Sequence, residues 1–560
     1  MNAILVMDAP PRMIPSEAIL QKAIGESIVC VKNSRLHARI FELCCCKLQG
    51  CSGHLRIESI MARRSKAKPT RTKPFVTPAP LGGRFAPLND AEVSQIVQAA
   101  MDILARTGIA DAPPDFAKRM VDAGALQRED GRICFPTGLV QDAVSRAAQK
   151  VNLPGFVEEF GLTIGGGNVH IGTGGAATEV LDSTTRDFRG ALLHDLYDLM
   201  RLVGVLPNIH YGLRPVIARD MVDPFLLDLN TGFACLKACP KPIGISFDSA
   251  DHLDPVLGMF DMALGDEGAF RSHPFCFAVI VHAVSPLRFA PEGVEIMQRA
   301  MTRGMPLQIC TAAQAGATSP VTLAGALAQG LAETLAGLMV VDTIEPGYPC
   351  IFAFMPFISD LRTGAMTGGS GEAAVAAAAA SQLLLHLGIP STASAGMTDA
   401  KTPDAQAGYE KGYTVALAAQ AGADMINLSV GMLGSIMAAS REALVIDDDM
   451  CGAILRSVRG VDVNAGAIDL DRIEAVATGE GHYLGEAQTL ALMKSEYAYP
   501  SLGNRQSISD WRDAGSPTVW DSAVERVSEL LRPEPTHLSR DKEAQIRAAF
   551  DIRLPEGSST

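Results

Sequence analysis

LGIPSTASAGMTDAKTPDAQAGYEKGYTVALAAQAGADMINLSV, residues 387–430, reads as strand, loop, helix, strand. Residues 389–395 are short, apolar and bounded by Gly388, Pro390 and Gly396, as a buried parallel strand would be. Residues 396–403 form a polar loop that, with the Asp404 beyond it, carries Thr398, Asp399 and Lys401. From Ala405 apolar residues fall at helical spacing until Gly422 stops the helix, and residues 424–430 supply the next strand. A parallel βαβ unit sets its strand-to-helix loop at the carboxyl end of the sheet, where ligands bind. The loop 397–404 is therefore expected at the mouth of an active site.

The unit recurs. Candidate strands lie at 208–216, 242–247, 274–282, 307–312, 351–357, 389–395, 424–430 and 443–447. Helical patterns follow each, starting near Asp223, Asp251, Pro291, Pro320, Glu372, Asp404, Leu433 and Met450. Eight such pairs over roughly 250 residues is the order and size of a TIM (β/α)8 barrel, expected here at 208–460. A doubly wound sheet would need a nucleotide fingerprint or a switch-point loop, and neither is present. Ahead of the barrel, 83–150 reads as a helical N-terminal region. Its helices are 91–107 (capped by Asn89-Asp90), 114–123 and 136–150, with a short strand at 132–135. Residues 160–207 read as β-hairpins and a helix, with strands 162–164, 169–171 and 178–182 separated by glycine clusters. Those glycines precede no helix and lack a Walker lysine, which argues against a phosphate loop. Residues 461–560 are expected as a helical C-terminal extension packing on the barrel through Trp511 and Trp520. Residues 1–75 read as an extension that is disordered or outside the translated chain, with a basic start at Met61.

Composition narrows the class. A formal charge of −14 over 560 residues argues against a nucleic-acid binder. The aromatic share is only 5 %, so alanine and glycine fill the space between helices and sheet. The apolar run 321–341 contains Gln329 and Glu333, which suits a buried helix better than a membrane span. A cytoplasmic protein is expected. Five of twelve cysteines crowd into the first sixty residues at no zinc-site spacing, and the others are expected buried and reduced.

The strand ends offer Arg214, Asp248, His282, Gln314, Phe354, Phe357, Asp399, Asn427, Ser429 and Asp447. No HxxEH spacing and no GxSxG elbow occurs, so no metal is expected. Lys401 allows a Schiff-base aldolase, and Asp399 with Asp447 a metal-assisted lyase. Phe352, Phe354 and Phe357 each read as core before site, since only one parity of a barrel strand faces inward. Gln329 and Glu333, one turn apart in an apolar helix, mark a polar network or the wall of a cation site.

These residues also carry a resemblance. IGTGGAATEVLD (171–182), LPNIHYGLRP (206–215), Gln329 and Glu333 in AQGLAETLAG, GMTDAKTPDAQAGYE (396–410), GHYLGEAQTL (481–490) and the segment 500–505 together resemble the trimethylamine methyltransferase superfamily. The likeness runs over about 83–511. It implies a TIM barrel that moves a methyl group from an N-methylated amine to the Co(I) corrinoid of a partner protein, with no cofactor bound in this chain. No pyrrolysine is written here, so the chain is similar to the branch lacking it, whose substrates include quaternary amines such as glycine betaine. A quaternary ammonium leaves as a neutral tertiary amine, so no proton delivery or covalent adduct is needed. The protein has to position the methyl and bind the cation. Strand-end position nominates Tyr211, Phe354 and Asp399 for the cation, and His282, Gln314 and Asn427 for a substrate carboxylate or polar arm. Glu333 joins them as a possible wall. A corrinoid-protein-binding subunit without catalysis is the remaining alternative, and a homo-oligomer is expected.

Overall fold

The computed structural model describes residues 76–556, so the readings made for 1–75 lie outside the described residues. Eight parallel strands form one sheet: β1 (His170–Ile171), β2 (Gly212–Leu213), β3 (Ile243–Ile245), β4 (Cys276–Val281), β5 (Leu307–Thr311), β6 (Cys350–Phe354), β7 (Ser391–Ser394) and β8 (Met425–Asn427). Each pairs with its sequence neighbour, and β8 pairs with β1 through Met425–His170 and Ile426–Ile171. A parallel bridge from Gly172 to Tyr211, with the His210 amide donating to the Ile171 carbonyl at 2.7 Å, joins β1 to β2. The sheet is thereby a closed (β/α)8 barrel.

The helices that follow are α1 (Leu193–Val205), α2 (Pro224–Ala238), α3 (Leu253–Leu264), α4 (Pro291–Thr302), α5 (Leu323–Ile344), α6 (Gly371–His386), α7 (Ala405–Ala421) and α8 (Arg441–Arg459). Several begin on chemistry visible in the sequence. Asp223, Ser370, Asp404 and Ser440 accept backbone N–H groups of the first turn, and Pro224 and Pro291 occupy first helical positions. Helix α5 is long and apolar enough to cross a membrane, yet 89 % of its most apolar window is buried inside the protein.

The register of units differs from the expectation at both ends. Residues 169–171, expected in a hairpin, contain the first barrel strand, His170–Ile171, and 443–447, expected as the eighth, lie inside α8. The barrel therefore runs from His170 to Arg459 rather than 208–460. A two-residue strand among glycines gives almost no periodicity to read. ALVID is a short apolar run that fits either element. The Ser440 hydroxyl, accepting from the Ala443 amide at 3.1 Å, and burial at Ala443, Leu444, Cys451, Leu455 and Val458 decide for helix.

Below the barrel, the hairpin Val151–Leu153 with Leu162–Ile164 packs under Tyr211, Leu213, Phe277, Ile351 and Met425, closing the amino-terminal end. Helix Asp90–Arg106 lies along α5, and Arg146 grips Asp342 of α5 through two hydrogen bonds of 2.9 and 2.6 Å. In the C-terminal extension, Ala523, Val527 and Ile546 are buried, while Trp520 packs by Leu181, Leu433 and Ala438. Residues 461–499 are mostly exposed, with Val476 the one buried residue among them, and Arg456 and Arg459 of α8 hold the segment at Ser495 and Glu496.

Between α7 and α8, Lys411 and Asp447 form a buried ion pair at 2.5 Å, and Asp447 also accepts the Gly431 amide. This removes Asp447 from the strand ends and from any site shared with Asp399. Removing one partner of a buried pair strands the other charge. Lys411→Met is expected to cost about 3–5 kcal/mol in guanidinium unfolding. The double change Lys411→Met with Asp447→Leu should recover most of that loss. A single change without measurable loss would show that the pair does not hold these helices together.

Candidate active site

Alternation along the strands assigns each side chain a face. On β4, Cys276, Ala278 and Ile280 belong to the core between sheet and helices, whereas Phe277 and Val279 pack in the barrel interior. Val281 continues the inward set and is 43 % exposed, so the barrel is open at its carboxyl end. Midway up, the interior is crossed by a chain of neutral polar groups. The Tyr211 hydroxyl donates to Asn427 Oδ1 at 2.7 Å, Asn427 Nδ2 to Gln308 Oε1 at 3.2 Å, and Gln308 Nε2 to Thr392 Oγ1 at 2.7 Å. All four are buried. Gln308 and Thr392 were missed from sequence, although an isolated glutamine at the inward parity of the apolar run LQICT was a usable signal.

The same alternation removes two nominees. Phe354 and His282 face outward, into α5. A Cβ on Gly330 would come within 2.3 Å of the Phe354 ring, and one on Gly337 within 2.4 Å of His282 Nε2. The two glycines, seven residues apart, are notches on one face of α5 that receive these side chains. His282 Nε2 donates to the Glu333 carbonyl at 2.9 Å, and burial pushes the imidazole down to about 4, so it is neutral. Neither residue reaches a ligand in the mouth.

Glu333 is buried on α5 and gathers three donors: Ser285 Oγ at 2.7 Å, the Leu287 amide at 2.9 Å and Gln329 Nε2 at 3.0 Å. Gln329 also donates to the Thr318 carbonyl at 2.9 Å. Burial pushes the Glu333 carboxyl up, and the donors oppose that. Of the two readings for this pair, the polar network is the one present. It pins the loops after β4 and β5 to α5.

Around the mouth the loops after β5 to β8 are knitted together. The loop strand Gln314–Ala315 pairs with Phe357–Ser359, which pairs with Met366–Thr367. Ala315 and Ile358 are buried in one cluster against α5 and α6, so Gln314 and Phe357 share the opposite, part-exposed face. Thr367 Oγ1 donates to Asp399 Oδ2 at 2.5 Å, the Gly368 amide to Oδ1 at 2.9 Å, and Ser435 of the loop after β8 adds a further donor. Burial raises the Asp399 carboxyl, but these donors outweigh it and hold the group below its ordinary value. Glu410 of α7 supports the same loop, accepting Thr398 Oγ1 at 2.5 Å and the Asp399 amide at 2.8 Å. Lys401 is exposed and donates to the Asp399 carbonyl at 2.6 Å. Asp399, Gln314 and Phe357 thus belong to one rim, with Asn427 in the polar layer beneath. Among the described residues, no three His, Cys, Asp or Glu side chains are grouped to hold a metal ion.

A carboxylate held below its ordinary pKa contributes stability above the unfolded value and loses it as pH falls through the folded one. Asp399→Asn leaves donors facing an amide NH2, which is expected to cost about 1–3 kcal/mol at neutral pH. The gap from wild type should close on acidification below roughly pH 4. Unfolding curves at pH 7 and pH 3 check this, and a pH-independent gap would contradict the assigned charge.

Residues 58–557 match the family model of trimethylamine methyltransferase (MTTB). The glycine betaine methyltransferase of Desulfitobacterium hafniense (strain Y51) is 26 % identical over 471 residues, covering 84 % of this chain and 97 % of that one. Trimethylamine methyltransferase MttB2 of Methanosarcina mazei is 29 % identical over 486 residues, covering 83 % and 95 %. The crystal structure of the Methanosarcina barkeri monomethylamine methyltransferase aligns with 80 % of this chain and 96 % of its own, at TM-score 0.41 and 12 % identity. With a family model spanning nearly the whole length, the chain belongs to the trimethylamine methyltransferase family.

Proposed function

We propose that this protein is a methyltransferase that moves a methyl group from a methylated amine, in its finer form a quaternary amine such as a betaine, to a corrinoid protein. The observation that carries the reading is the match of residues 58–557 to one methyltransferase family. The corrinoid, brought by the partner, supplies the Co(I) nucleophile that takes the methyl group. What this chain has to do is bind the amine and aim one methyl outward through the open mouth beside Val281.

The arrangement of the rim supports a cation site. Phe357 can present a ring face to an ammonium. Asp399, held anionic by its donors, lends a negative potential across the mouth without needing to take a proton. Gln314 on the same face and the Asn427–Gln308 layer below offer neutral hydrogen-bonding groups to a polar arm. Tyr211 acts through Asn427, whose amide it orients. A quaternary substrate suits this set because it leaves as a neutral tertiary amine with no proton delivered, whereas an uncharged tertiary amine would first have to be protonated.

Methyl-Co(III) formation, read by absorbance with purified chain and reduced corrinoid protein, tests the reaction. Transfer from a betaine exceeding that from trimethylamine supports the finer form, and no transfer from any methylated amine refutes the proposal. Phe357→Ala is expected to raise KM for a quaternary amine about three- to thirtyfold, the scale of a desolvated cation–π contact. Lys401→Ala should leave turnover within a factor of two of wild type. A borohydride-trapped adduct on Lys401 would instead favour the aldolase alternative.

A further inference from the structure

The loop after β8 folds back on itself between two short antiparallel strands, Met432–Leu433 and Ala438–Ala439. Three of the four residues in the turn stand in the left-handed region: Gly434 at φ 56°, Ser435 at 55° and Ile436 at 69°. L residues visit that region singly, and a β-branched isoleucine is strained there. Such strain persists only where the surroundings over-determine it, and it clusters at functional sites. Here the loop after β7 fixes the turn from the mouth side. The Gly434 amide donates to the Ala400 carbonyl at 2.8 Å, and the Ser435 amide to the Thr398 carbonyl at 2.7 Å. The Ser435 hydroxyl then donates to Asp399 Oδ1.

The C-terminal extension braces the turn from behind. Helix α9 (Val519–Leu530) opens on a reciprocal cap between Thr518 and Asp521 and buries Ala523 and Val527. Its Trp520 packs with Leu433 and Ala438, the residues on either side of the turn, and with Leu181 and Phe188 of the adjacent hairpin. The Arg186 guanidinium lies over the indole at 5.3 Å. Ala438 and Ala439 pair with Glu179 and Val180, so the turn projects from a four-stranded sheet. Ile436 packs against the main core.

These contacts converge on one carboxylate at the mouth. Thr367 and Gly368 reach Asp399 from the loop after β6, and Ser435 reaches it from the loop after β8. Donors on one side alone leave a carboxylate free to turn about its own bond, whereas donors from both neighbouring loops fix its plane. We propose that Ser435 is a positioning residue, held left-handed by its turn and by Trp520 behind it, that aims Asp399 at the cation of the bound amine. The proposal rests on the reading of this mouth as an amine site. The turn carries no charge of its own. The titratable groups that face Asp399 are Glu410 and Tyr413 of α7 and Lys401 in its own loop. Replacing Ser435 therefore changes the aim of Asp399 and leaves every charge beside it in place.

The test uses the full chain with Ser435→Gly, which removes the hydroxyl while glycine accepts the left-handed backbone, so the turn survives the change. Calorimetric titration with glycine betaine, or with trimethylamine where that is the better methyl donor, reads affinity. Methyl-Co(III) formation with reduced corrinoid protein reads turnover. The variant is expected to bind about three- to tenfold more weakly, with KM rising in step and kcat within a factor of two of wild type. The acid limb of its KM profile should begin at higher pH, because a donor to the charged form of Asp399 is gone. Trp520→Ala should weaken binding at least about twofold, and the double change should cost no more than Ser435→Gly alone, since both act through one group. A wild type that transfers methyl while Ser435→Gly matches it in affinity and pH profile would overturn the positioning role and leave the reaction standing. So would a Trp520→Ala chain identical to wild type, or effects of the two changes that multiply. A wild type that transfers from no methylated amine would overturn the substrate reading and this proposal with it.

Discussion

Closure of the barrel depends on the absence of a side chain at Gly172. A Cβ there would lie 2.2 Å from the Tyr211 ring, inside any allowed contact. With glycine in place, β1 and β2 approach closely enough to bridge, and the phenol fills the interior beside them. Its hydroxyl then reaches across to Asn427 and starts the polar layer that runs to Gln308 and Thr392. One close approach thus supplies both the seam of the barrel and the first donor of that layer. A buried amide with unmet hydrogen bonds would be costly, so each member fixes the orientation of the next.

Carboxylates do a second structural job, and several are buried to do it. Asp424 accepts the Gly167 and Ser391 amides at 2.7 and 2.8 Å, binding the starts of β1 and β7 to β8. Glu333 holds the loops after β4 and β5, Asp399 and Glu410 those after β6 to β8, and Asp447 the turn at Gly431. In each case a carboxyl group collects N–H and O–H groups that a loop would otherwise leave unpaired. Acids committed this way are poor general acids or bases. That suits a reaction in which nothing has to be protonated, where rigid placement of a methyl group matters more than a shifted pKa.

Much of the architecture was legible in the chain. The repeating strand-loop-helix units, with helices opening at Asp223 and Asp404 and punctuated by Gly422, identify the barrel because helix caps and apolar periodicity are local properties. The amphipathic helix behind Asn89 is another case: both halves of its capping box lie within four residues of sequence. The unit count slipped by one at each end. A two-residue strand such as His170–Ile171 carries too little pattern, and a five-residue apolar run such as 443–447 fits helix and strand alike.

The site itself was decided by tertiary structure. Sequence placed Phe354, His282, Asn427 and Asp399 near strand ends, which is a statement about height along the barrel. Which of them faces inward depends on strand register, and a shift of one residue exchanges the two faces. Gly330 and Gly337 on α5 take Phe354 and His282 into the helix layer, through a packing contact between segments far apart in the chain. The partners of Asp399 come from Thr367, 32 residues before it, and Ser435, 36 residues after it, and no spacing rule reports them. Local chemistry fixed the elements, the class of fold and, through the motifs, the family. Which side chains meet at the mouth was fixed only by closing the barrel, because inward and outward are not properties of a sequence until the sheet has a centre.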